Sequence, residues 1–247
     1  MGVKNLRVFG SSQGPDSITG RVVPSLEYGK EVYNQDVWQG LDVLLDEMGK
    51  RSMKAVVVLS NFYPWTGGFQ QIMKWYNTGS QKNSPYDFFE DTDSVEHLKQ
   101  FIGRMIMRNN TVNHRLYRDD PTIMAWQLAN DPKSDDYDSY YQWINHTSKY
   151  IHDLDKNHLI SIGNEGTNQR YSHDINHLPF ISYITFHAFP EELKWFAPVS
   201  MKRVIRGFHK MKTYMMSNTN GNKFHNKPVV LEAFGLGRDN TKSSYKP

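Results

Sequence analysis

Four apolar runs in this 247-residue chain end in groups that can do chemistry. Asn130 and Asp131 follow Ile123–Ala129, a run apolar except for Gln127, and Glu165 follows His158–Ile162. His187 follows Ile181–Phe186, and Glu232 follows Pro228–Leu231. In sheets and barrels of alternating strands and helices, the carboxyl ends of the strands open onto the ligand crevice. Four such ends on one rim would converge on a single pocket. Two carboxylates there suit glycoside hydrolysis, in which one protonates the leaving oxygen and the other attacks the anomeric carbon or activates water. Asp131 and Glu232 form the candidate pair. A carboxyl separation of about 5–5.5 Å would imply retention, and about 6.5–9.5 Å inversion. The competing reading of Asn130-Asp131-Pro132 is a plain turn after a buried strand.

The elements that must position these groups follow from periodicity. Val3–Phe9 and Ala55–Leu59 read as further strands, giving six in all, and Arg7 sits near the end of the first. Helical spacing connects most of them. From Asn34, a plausible N-cap, to Lys50, the stripe is Val37, Leu41, Leu44, Leu45 and Met48. From Asp93, with Glu96 completing a capping-box pattern, it is Val95, Leu98, Phe101, Ile102, Met105 and Ile106. Ser134–Leu154 turns Tyr137, Tyr141, Ile144, Ile151 and Leu154 inward, and Ser200–Ser217 turns in Met201, Val204, Phe208, Met211 and Met215. Asn77–Asp91 reads as a long polar surface loop, and little room for a long helix remains between the strands ending at Ile162 and Phe186.

Composition narrows the partners. Net charge is +3, with 29 basic and 26 acidic residues interspersed, so no field argues for nucleic acid or an anionic membrane. No cysteine is present, which removes disulfides, thiolate metal sites and a cysteine nucleophile. Neither GxGxxG, GxxxxGK[ST] nor HExxH occurs. Glu232, His187 and Glu165 offer fewer oxygen ligands than a hard divalent ion usually takes, so neither metal nor cofactor is expected. No apolar run approaches a membrane span, and one domain, monomeric, is the expectation at this length.

With those residues in view, the chain resembles the glycoside hydrolase family 5 endo-β-1,4-mannanases. DPTIMAWQLAND is similar to that family's fourth strand, which ends Asn-Glu-Pro, and KPVVLEAFG to its seventh. HLISIGNEG resembles the fifth, ITFHAFP the sixth and KNLRVFG the second. The resemblance implies a (β/α)8 TIM-type barrel, incomplete here, with six strands corresponding to the second to seventh. It implies retaining hydrolysis inside a β-mannan chain. Glu232 would be the nucleophile and Asp131 would occupy the acid/base place. Asn130 would contact the hydroxyl beside the anomeric carbon, Arg7 would orient Glu232, and His187 would line the pocket. Glu165, Trp65 and Trp195 are candidate substrate contacts, or loop-packing residues.

Two departures bear on activity. Asp131 stands where the family has Glu, so its carboxyl sits one methylene, roughly 1.5 Å, further from the glycosidic oxygen. Acid–base catalysis contributes roughly 10²–10⁴-fold, and that is the range at stake. Phe189 stands where the family usually has a Tyr whose hydroxyl helps position the nucleophile. The expectations are therefore a secreted mannan-directed hydrolase of impaired activity, or a non-catalytic mannan-binding relative.

Overall fold

In a computed structural model of the chain, the residues described are 2–77, 84–166, 172–189, 201–220 and 226–235. Among the described residues there are six parallel strands of the barrel wall. Strands β1 (Asn5–Phe9), β4 (Lys54–Val58), β5 (Ile123–Gln127) and β6 (Leu159–Ser161) form one parallel sheet in the order β1-β4-β5-β6. Strands β7 (Ile184–Ala188) and β8 (Val229–Phe234) form a second parallel pair. Backbone hydrogen bonds from Ser182 to Ile160 (2.7 Å) and from His187 to Glu165 (2.9 Å) carry the wall from β6 to β7. The sequence did not foresee the small hairpin of β2 (Glu27–Gly29) and β3 (Val32–Tyr33) in the loop after β1.

Helices α1 (Gln35–Lys50), α2 (Gly68–Tyr76), α3 (Thr92–Ile106), α4 (Tyr137–Leu154) and α6 (Met201–Asn220) connect the strands, and the short α5 (Ser172–Asn176) fills the narrow interval before β7. The main core lies between strands and helices. Val57, Trp126 and Ile160 face outward from the sheet against Leu45, Phe101, Ile102, Trp143 and Ile144. β4, β5 and β7 therefore bury both faces along most of their length, the pattern of inner strands in a parallel sheet.

The helix stripes needed correction where a polar residue had an inward partner. In α1, capped by Asn34 as expected, Trp38 and Asp42 point inward, whereas Leu44 is exposed. Asp42 is held by a bidentate pair with Arg108 (2.8 and 2.6 Å) and by the Tyr117 hydroxyl (2.5 Å), which satisfies its charge below the strands. The N-cap of α3 is Asp91, accepting from the Ser94 amide, rather than a box built on Asp93. In α4, Tyr140 and Trp143 are buried, and Tyr137 and Tyr141 lie at the margin. In α6, Phe208 and Met215 are exposed, and Tyr214 and Asn218 are buried. The Tyr214 hydroxyl donates to the Glu165 carbonyl at 3.0 Å, which rotates the helix away from its methionine stripe. The loop before α3 is not wholly a surface feature, because Phe88 and Phe89 are buried against Phe69 and Trp143.

The two outermost strands differ from the inner ones. β4 and β5 are buried almost throughout, whereas Leu6 of β1 and Val230 and Phe234 of β8 are exposed, Phe234 by 72%.

Candidate active site

The carboxyl ends of β5, β7 and β8 bring three of the expected groups together. His187 Nδ1 lies 3.1 Å from Asp131 Oδ1, and His187 Nε2 lies 3.2 Å from Glu232 Oε2. One imidazole thus stands between the two candidate carboxylates. All three side chains are largely buried. Burial alone would lower the imidazole's pKa, but the flanking carboxylates outweigh it and push it up to about 9. Near neutral pH the ring is then a cation placed between the two carboxyl groups.

Each carboxylate is held differently. Glu232 accepts from His187 and from Gln127 Nε2 at 2.8 Å, and pairs with Arg7 Nε at 3.2 Å. Asp131 Oδ1 faces His187 Nδ1 at 3.1 Å, and no other donor reaches that oxygen among the described residues. The Arg7 Nη2 group is buried without an acceptor. Buried polar atoms are nearly always paired, so an unpaired guanidinium nitrogen beside two carboxyl groups leaves room for a polar ligand.

The backbone around Asp131 explains its aim. Its amide donates to the Gly163 carbonyl at 3.0 Å, and the Asn130 amide to the Ser60 carbonyl at 2.9 Å, so the turn after β5 is tied to the turns on both sides. Asp131 has φ +50°, a left-handed conformation that Asp tolerates better than most residues. Gly163, at φ +90°, is required: a Cβ there would lie 1.9 Å from the Ala129 carbonyl and 2.8 Å from Gln127 Cγ.

Asn130 is buried beside this group. Its Oδ1 accepts from Arg7 Nη1 at 2.9 Å, and its amide donates to Asn61 Oδ1 at 3.0 Å. Glu165 occupies the same rim but pairs with Lys133 Nζ at 3.0 Å, and Lys133 also reaches the Tyr63 hydroxyl at 3.3 Å. Trp65 is 40% exposed and packs edge-on against Phe9, whose ring the Arg7 guanidinium overlies. Phe189 lies edge-on to His187, with centroids 6.4 Å apart. Trp195 lies outside the described residues.

Three site residues were not singled out from sequence. Asn61 sits after a buried strand in the same way as Asn130, a signal that was available. Lys133 gave none. Gln127, the one polar residue in an otherwise apolar run, was visible but unassigned.

The family model described as glycoside hydrolase family 5 β-mannosidase-like matches residues 1–247. Mannan endo-1,4-β-mannosidase 7 of Arabidopsis thaliana is 31% identical over 243 residues, covering 90% of this chain and 55% of its own length. A family 5 mannosidase structure from Rhizomucor miehei superposes with TM-score 0.86 at 33% identity, covering 96% of this chain and 61% of that one. An endo-β-1,4-mannanase structure from Thermotoga petrophila, at 23% identity and TM-score 0.75, shares the fold over 96% of this chain and 55% of its own. The chain therefore spans between one half and two thirds of the length of these relatives.

Proposed function

Because the chain belongs to the glycoside hydrolase family 5 β-mannosidase-like family, we propose that it is an endo-acting, retaining glycosidase that cleaves β-1,4-mannosidic bonds in mannan or its substituted forms. The observation that carries this reading is the bracketing of one imidazole by Asp131 and Glu232, from two different strand ends. Glu232 is the proposed nucleophile. Its carboxylate is immobilised by Arg7, Gln127 and His187, and a fixed anion that needs no proton is suited to attack the anomeric carbon. Asp131 is the proposed acid and later base, consistent with a carboxyl oxygen that His187 alone approaches among the described residues. Its one-methylene deficit lowers turnover on poor leaving groups. Asn130 is oriented by Arg7 and Asn61 for a sugar hydroxyl, and Glu165 and Trp65 supply outer contacts along the rim. A polymeric substrate implies secretion, and the protein is proposed to act as a single-domain monomer.

Assays on mannohexaose and on aryl β-mannosides with good and poor leaving groups test the proposal, with product anomers followed by NMR. Internal cleavage with retained β-configuration is expected, and turnover of the activated aryl substrate should be the less impaired. Release of single mannose units would refute endo action, and inverted product would refute the nucleophile. A chain that binds mannan yet turns over neither substrate is the non-catalytic relative.

A further inference from the structure

Two cationic groups flank the same oxygen of Glu232, Oε2, each at 3.2 Å: His187 Nε2 hydrogen-bonds to it, and Arg7 Nε, whose single N–H is donated to Gln127, pairs with it as an ion. A carboxylate held through one oxygen can still rotate about its last side-chain bond. The other oxygen, Oε1, accepts from Gln127 Nε2 at 2.8 Å, and no other donor to it occurs among the described residues. Gln127 is itself fixed: its Oε1 accepts from Arg7 Nε at 2.7 Å and its Nε2 also donates to Ser161 Oγ at 3.1 Å. Arginine can only donate and an ionised carboxylate can only accept, so the amide has one permitted orientation between them. A side chain with two acceptors would face Glu232 with repulsion, and one with none would leave Oε1 free. Gln127 and Ser161 are fully buried, and Gly163 lacks the Cβ that would collide with the Gln127 stem.

We infer that Gln127 is a positioning residue for the reaction, setting the plane of the Glu232 carboxylate and hence which oxygen lone pair meets the anomeric carbon. This rests on the reading of Glu232 as nucleophile. The test isolates the first chemical step with a 2-deoxy-2-fluoro-β-mannosyl fluoride. A Glu232 oxygen forms an ester bond to the anomeric carbon as the carbon–fluorine bond breaks and fluoride leaves with the electron pair, so no proton from Asp131 is needed.

Labelling is followed by intact-mass spectrometry for the parent chain, Gln127→Met and Gln127→Glu. The Met variant, similar in volume but unable to hydrogen-bond comparably, is expected to lower the saturating labelling rate about 10- to 100-fold while the half-saturating concentration moves by less than about threefold. The Glu variant should lose rate at neutral pH and regain it relative to the parent as pH falls, because its protonated carboxyl again donates to Glu232. A purely structural role predicts no such recovery. Equal labelling of the parent and both variants would overturn the inference alone. A parent that takes no label at Glu232 would overturn the glycosidase reading, and the inference with it.

Discussion

Two of the buried carboxylate–imidazole contacts among the described residues lie at opposite ends of the strands, and they differ in how completely they are closed. At the amino end of β6, Asp155 contacts His158 Nδ1 at 2.6 Å and accepts from Trp126 Nε1 at 2.7 Å and from the Asn157 and His158 amides. His158 Nε2 meets the Asp120 carbonyl at 3.0 Å. Both oxygens of Asp155 and both ring nitrogens of His158 are occupied, mostly by neighbours in sequence. Burial alone would raise the Asp155 pKa, but these donors lower it overall. At the opposite rim, Asp131, His187 and Glu232 come from strands far apart in sequence, Asp131 Oδ1 meets only His187, and Arg7 Nη2 remains unfilled. A satisfied network fixes the fold, whereas an unsatisfied convergent one leaves capacity for a ligand.

Substitutions should separate the two ends. Glu232→Ala should lower turnover of an activated aryl mannoside by about 10⁴-fold or more while the chain stays folded. Asp155→Ala should do the reverse. It leaves Trp126 and His158 without their acceptor and should cost about 3 kcal/mol in urea denaturation, with turnover per folded molecule unchanged. Asp131→Glu restores the longer reach and should raise turnover on mannan about 10- to 100-fold, with a smaller gain on the activated substrate. A gain confined to the activated substrate would remove Asp131 from the acid role.

The smallest effect concerns pH. The folded pKa of His187, about 9, lies above its ordinary value, so its contribution to stability is fully present below about pH 6.5 and is lost as pH rises through about 9. Urea midpoints should fall across that interval in the parent, and His187→Gln should flatten the fall. An unchanged slope would mean that the ring is neutral between its carboxylates.

Much of the frame was legible because a parallel strand buried on both faces leaves a continuous apolar run, and its first polar residue marks the rim. That rule located Asp131, Glu165, His187 and Glu232, and it located all six strands to within a few residues. It failed where a polar side chain is buried by a distant partner. Asp42 turns inward because Arg108 and Tyr117 meet it, and α6 rotates because Tyr214 reaches the Glu165 carbonyl. Neither partner is close enough in sequence to shift a periodic pattern.

The sequence by itself therefore determined the order of the strands, the apolar faces that bury them and the chemistry available at their ends. Only the tertiary structure decided which of those groups meet. It made His187 common to both carboxylates, gave Glu165 to Lys133, and set Gln127 between Arg7 and Glu232. The reason is physical: burial follows local pattern, whereas a hydrogen bond or ion pair depends on a few ångströms between residues that are 45 to 120 positions apart in the cases of His187–Glu232 and Arg7–Gln127.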